Sequence, residues 1–145
     1  MNGIRTMGRA SAPRGVTVSV AGAHGADVAR ARDLTRAFCD GLDLPRDAED
    51  ALLLVVSELV TNALRHGGGS YVLRLTATPE AMVVEVDDGE SRPPRPREPD
   101  VLRGGGFGWH LVTSLATGGV SVLPRGDGKT VRAAFLRETG VPRAA

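Results

Sequence analysis

Glu58, Asn62 and His66 recur at four-residue steps within Ser57–Gly67, a stretch that also carries Leu59, Val60, Ala63 and Leu64. On an α-helix that spacing puts the three polar residues on one stripe. A carboxylate and an amide one turn apart can hold a hard cation, or a cation with a water. An Asn in mid-helix competes for backbone hydrogen bonds and needs a reason to be there. The stripe alone is equally the wet face of an ordinary helix.

A second candidate is Val84-Glu85-Val86-Asp87-Asp88-Gly89. Strand alternation sets Val84, Val86 and Asp88 on one face, with Glu85 and Asp87 on the other. If the valines face the core, Asp88 is a carboxylate at the inner mouth of a sheet, able to accept a hydrogen bond from an exocyclic amine. An Asp-Gly pair also simply forms turns. A third candidate is Gly104 to Gly108 followed by Trp109-His110-Leu111-Val112. Glycines let backbone N–H groups approach an anion, and a following helix adds its positive N-terminal end. The run is neither a Walker A nor a Rossmann fingerprint: no Lys-Ser/Thr follows it and no strand immediately precedes it.

The elements that must position these residues follow from periodicity. Val16, Val18 and Val20 alternate with Thr17 and Ser19, a short strand. Residues 26–40 read as an amphipathic helix stopped at Gly41, and about 47–66 as a second helix, apolar nearly all round over Ala51–Val56. Tyr71–Thr78 and Met82–Val86 form a hairpin. Residues 87–106 hold Pro93, Pro94, Pro96 and Pro99 among charges, and read as a lid or a disordered segment. Trp109–Ala116 is a short helix. Val120–Leu123 and Thr130–Leu136 are strands joined by a turn over Pro124–Lys129. The order implies an α+β chain: a two-layer sandwich with helices on one face of a mixed, mostly antiparallel sheet. Residues 1–15 read as a disordered lead-in, 16–137 as one domain and 138–145 as a tail.

The 145 residues suit one core. A net charge of +1 gives no electrostatic case for nucleic acid or a membrane surface. No apolar run is long enough to span a bilayer and no secretory leader is visible, so a cytoplasmic location is expected. Cys39 is the one cysteine and reads as a small buried hydrophobe. His24 and His110 read as structural or exposed, Trp109 as a core or lid anchor, and Lys129 as a solvated turn residue, with a place near phosphate as its alternative.

Together the three stretches resemble the Bergerat-fold ATP-binding domain shared by histidine kinases, DNA gyrase, a class of heat-shock chaperones and the mismatch-repair ATPases. Glu58 to His66 resembles the N box, Asp88-Gly89 the first glycine box, Gly104-x-Gly106-Phe107-Gly108 the second, and Gly126-x-Gly128-Lys-Thr130 the last Gly-Thr element. The likeness covers about Val16 to Leu136 and is strongest to the stand-alone anti-sigma-factor serine kinases. It implies ATP and Mg²⁺ as ligands, with Asn62 binding the metal and Glu58 activating the attacking hydroxyl. It implies Asp88 on the adenine amine beside Gly89, Gly104, Gly106, Phe107 and Gly108 around the phosphates, and Thr130 supporting the adenine site. Arg65 and His66 would lie near the phosphates. From Asp88 the Asp-x-Gly pattern meets Glu90, whereas from Asp87 it meets Gly89 at the expense of the strand phase; Asp88 is preferred, with Asp87 in reserve. The expected partners are a sigma factor and an antagonist protein, and the relatives suggest a homodimer. A catalytically silent, nucleotide-dependent binding module and a detached histidine-kinase domain are the alternative functions.

Overall fold

A computed structural model of the chain describes residues 15–90 and 108–137. The lead-in to residue 14, the lid from residue 91 and the tail from residue 138, and with them Gly104, Gly106 and Phe107, lie outside the described residues; the first residues expected in the lid, Asp87 and Asp88, belong instead to a strand. The elements run β1 (Val16–Gly22), α1 (Asp27–Asp40), α2 (Arg46–His66), β2 (Tyr71–Ala77), β3 (Ala81–Asp88), α3 (Gly108–Leu115), β4 (Gly119–Arg125) and β5 (Gly128–Leu136). The five strands form one sheet in the order β1-β2-β3-β5-β4. All four pairings are antiparallel, so among the described residues no parallel strand makes the sheet mixed.

The sheet is two-faced because its strands alternate. Leu73 and Leu75 on β2, Val84 and Val86 on β3, and Ala133 on β5 are sealed from water on the helix side. Against them α2 presents Leu52, Val55, Val56, Val60 and Ala63, and α1 adds Ala31 and Cys39. Burying side chains of this size stabilises the fold by about 1.5–3 kcal/mol each for Val or Leu, before chain entropy is subtracted. Thr35 is buried in α1 without cost in hydrogen bonding, since its hydroxyl donates to the Ala31 carbonyl at 2.8 Å. Trp109 packs against this core from the start of α3, and His24 and His110 are exposed.

The helices begin and end for local reasons. Asp27 accepts from the backbone N–H of Ala23 and of His24 at 2.8 and 2.9 Å, closing the turn before α1. Those N–H donors hold its carboxyl below the usual carboxylate range. Pro45 precedes the first turn of α2, which carries Asp47 and Glu49 at the positive end of the helix. At the other end Gly67 donates to the Ala63 carbonyl, and Gly68 and Gly69 take φ of 92° and 88°, a region that favours glycine.

The last hairpin departs from the sequence reading. β4 continues through Pro124 to Arg125 and β5 begins at Gly128, leaving a two-residue loop with Gly126 at φ 52°. Pro124 is tolerated in a strand because β4 lies at the edge of the sheet, where a missing N–H loses no ladder bond on the open side. Lys129 therefore lies in β5, opposite Asp88 on β3, rather than in a solvated turn.

Candidate functional site

The last two turns of α2 carry the polar stripe. Glu58 and Asn62 are half-buried, while Arg65 and His66 are exposed. Among the described residues the side chains of Glu58 and Asn62 make no hydrogen bond or ion pair. Gly108, the first residue of α3, closes directly on Glu58: a Cβ there would run into the Glu58 carboxylate. The α3 N-terminus, with its unpaired N–H groups, thus stands beside a carboxylate from α2.

The end of β3 docks onto the end of α2. Gly89 donates its N–H to the Gly67 carbonyl at 2.8 Å. A Cβ on Gly67 would lie 2.6 Å from Asp88 Oδ2, and one on Gly128 would strike the Asp88 carbonyl oxygen. Two glycines far apart in sequence are therefore what allow Asp88 to sit between helix and hairpin. Its phase is the one the alternation implies: with Val84 and Val86 it faces the helix layer, and only 5% of its side chain is exposed.

Asp88 does not stand alone. Lys129 Nζ lies 3.1 Å from Asp88 Oδ1 and 3.0 Å from Oδ2, and donates to the Glu90 carbonyl at 2.8 Å. Asp88 Oδ1 also accepts the Glu90 N–H at 2.8 Å. The single lysine of the chain is thus buried on the carboxylate singled out as a base reader, and the expectation of a solvated turn residue is corrected. The ion pair with Asp88 and the hydrogen bond to the Glu90 carbonyl offset the desolvation of its charge.

Asp87, one residue earlier, points to the opposite face of the sheet. Arg74 grips it in a fork, Nη1 to Oδ2 at 2.6 Å and Nη2 to Oδ1 at 2.8 Å. Thr130 donates its hydroxyl to Oδ1 at 2.6 Å, and Arg125 stands 3.5 Å away. Arg74 first, and then Thr130, hold the Asp87 carboxyl below the usual carboxylate range. Thr130 is placed with Asp87, on the face away from Asp88, so its hydroxyl is not brought to the Asp88 carboxylate.

The structure thus gathers Glu58, Asn62, Gly67, Asp88, Gly89, Gly108 and Lys129 around the end of α2, and sets Arg65 and His66 at the exposed rim. Gly67 and Lys129 are the additions. Gly67 was visible only as a helix stop, and Lys129 only as the lone lysine. No cluster of three or more His, Cys, Asp or Glu side chains fit to hold a metal occurs among the described residues. A cation here would take the Asn62 amide oxygen together with oxygens of a bound ligand, a hard-oxygen set of the kind Mg²⁺ prefers.

A model of the histidine kinase-like ATPase domain matches residues 22–135, most of the chain and every element of this site. The chain belongs to that family. No curated protein matches it. Among solved structures, this ATPase domain is similar to one described as the SiaB-SiaC complex from Pseudomonas aeruginosa. The TM-score is 0.64 at 11% identity, covering 81% of this chain and 88% of the other. It is also similar to the RsbU and RsbW domains of Rv1364c from Mycobacterium tuberculosis. There the TM-score is 0.63 at 15% identity, covering 86% of this chain and 34% of that one. This domain therefore spans about a third of the second neighbour. At these identities the likeness is one of fold. No helix among the described residues is long and apolar enough to cross a membrane.

Proposed function

We propose that this ATPase domain binds Mg·ATP at the end of α2 and acts in the cytoplasm as an anti-sigma factor with serine/threonine-protein kinase activity, phosphorylating a small antagonist protein. The observation that carries the reading is the docking of β3 on α2 through Gly89 and Gly67, with α3 closing on Glu58 through Gly108. Parts of three stretches far apart in sequence thereby meet at the end of α2, where they bring a carboxylate, an amide and a second carboxylate.

Each residue has a role suited to its chemistry. Asp88 accepts a hydrogen bond from the base, and Gly89 leaves room beside it. Asn62 offers its amide oxygen to the metal. Glu58, free of other partners among the described residues, takes the proton of the attacking serine hydroxyl. Arg65 and His66 border the phosphates, and Gly108 brings the α3 N-terminus toward them. In this reading Gly104, Gly106 and Phe107 complete the phosphate cradle. Thr130 supports the adenine side indirectly, by fixing Asp87 and so the end of β3. Bound Mg·ATP supplies the transferable phosphoryl group and the charge neutralisation that transfer needs. One fold neighbour is a complex of two proteins and the other carries an RsbU domain beside an RsbW domain; both support a partner-binding role. A sigma factor and the antagonist are the partners proposed, with a homodimer as the assembly.

The test is phosphate transfer from labelled ATP to a candidate antagonist, with Glu58→Gln compared against the parent. Transfer should occur and should fall by about 100-fold or more in the variant, the range for losing a positioned base. Nucleotide binding without transfer in the parent would leave a silent binding module. An acid-labile product would point instead to histidine phosphorylation.

A further inference from the structure

The exposed face of α2 changes character along its length. At the end that carries the site, Arg65 and His66 stand at the rim. Followed back from Glu58, away from that end, the same four-residue stripe carries Leu54 and then Asp50, with Asp47 a turn further on. At 1.5 Å per residue these lie about 6, 12 and 16 Å beyond Glu58. Leu54 is 48% exposed, and among the described residues it is the one large apolar side chain that a helix leaves in water. Leu53 beside it is half-buried, and Asp47 and Asp50 are exposed. Neither Asp makes an ion pair or hydrogen bond among the described residues, although Arg46 lies one turn before Asp50.

The helix itself does not call for this face. A carboxylate in the first turn, such as Asp47, complements the helix dipole, but Asp50 lies beyond that turn. Leu54 stands where a basic residue would give Asp50 an i,i+4 partner. What the face adjoins is the reacting group. Asn62, Gly67 and Asp88, which the proposed function gives to the nucleotide, all lie on one side of Glu58. The chain that brings a hydroxyl to Glu58 for in-line transfer therefore has the Leu54 side left to it. Such a chain would cover Leu54 with an apolar side chain and meet Asp50 and Asp47 with cations.

We infer, on the kinase reading above, that the face of α2 from Glu58 back to Asp47 docks the serine-bearing partner through a segment in which an apolar residue and then basic residues lie to one side of the serine. In an extended segment, at about 3.3 Å per residue, the apolar residue falls about two positions from the serine and the basic ones about four and five. The probe is a fluorescein-labelled peptide with one central serine, leucine at about two positions and arginine at about four and five positions on both sides of it, and alanine between. The control peptide has glutamate for every arginine. By fluorescence anisotropy, with and without Mg·ATP, the full chain should bind the arginine peptide about tenfold tighter than the control. The gap should narrow as salt rises from about 0.05 to about 0.5 M. Asp47→Lys combined with Asp50→Lys should reverse the order of the two peptides, and Leu54→Ser should weaken both by about threefold or more. Calorimetric ATP affinity should stay within about threefold of the parent in these variants, since none of the three residues borders the nucleotide. Circular dichroism identifies a variant that fails to fold, and the two peptides on the parent then decide. Equal affinity for the two peptides, binding of neither, or an arginine preference kept in the double variant overturns the inference. A parent that keeps the arginine preference but binds no ATP would instead remove the nucleotide reading and leave the docking face standing.

Discussion

Asp87 and Asp88 are neighbours in sequence, nearly equally hidden from water, and opposite in what they do. Asp87 lies on the outer face of the sheet, where Arg74, Thr130 and Arg125 converge on it. Asp88 lies on the helix face, packed between Gly67 and Gly128 and paired with Lys129. One has a fork of charge-assisted hydrogen bonds and no room for a ligand. The other has an ammonium beside it and two glycines, Gly67 and Gly128, where a Cβ would intrude on it. Burial and charge are alike for the two; the side of the sheet on which each emerges is what makes Asp88 the one proposed for the nucleotide.

The comparison breaks most sharply on substitution of the two carboxylates. Asp88→Asn should reduce ATP affinity by about 100-fold, roughly 3 kcal/mol, since the amide turns a donor toward the base amine. Calorimetry measures it, and undiminished binding would remove Asp88 from the site. Asp87→Asn should do the reverse. It breaks a fork that Arg74 makes with only partial access to water, so a loss of about 2 kcal/mol in folding stability is expected by urea denaturation. Binding by the folded fraction should stay within about threefold of the parent, because Asp87 touches nothing on the helix face and acts on it only through the end of β3.

The phase that separates these carboxylates was readable from the sequence, because a strand has a period of two and Val84 and Val86 fix its inner side. The long helix was readable too: the stretch from about 47 to 66 is much longer than a strand, and three glycines end it. What was not readable depends on register. Arg74 finds Asp87 because β2 and β3 pair antiparallel in one particular alignment. Lys129 was misplaced for a definite reason. Pro124 and the glycines after it look like a six-residue turn, but an edge strand accepts a proline, and the strands run on to a two-residue loop. Moving the strand start by two residues takes the only lysine out of water and puts it on Asp88.

Acid should sharpen the comparison with a smaller effect. Asp87 has its carboxyl held below the ordinary value, so around pH 4 and beneath it the unfolded chain binds more protons than the folded one. The stability that Asp87 contributes is therefore fully present above about pH 4 and is lost as pH falls toward its folded value. Asp87→Asn should flatten that part of the profile. Asp27, also lowered, remains in both proteins, so the difference between the two profiles isolates Asp87. Parallel profiles in denaturation titrations from pH 7 downward would show that the fork does not stabilise the charged form.

The smallest effect tests where the outer cluster ends. Arg125 stands 3.5 Å from Asp87 but is half exposed at the tip of the last hairpin, whereas Arg74 makes two short bonds to the same carboxylate. An exposed guanidinium at that distance is screened by water and gives up side-chain freedom to stay in place. Arg125→Gln should therefore change stability by no more than about 0.5 kcal/mol and leave nucleotide affinity unaltered. A loss approaching that of Asp87→Asn would mean that both arginines hold the carboxylate jointly. The strut would then extend through β5 to the edge of the sheet, and the backbone that positions Lys129 would depend on it.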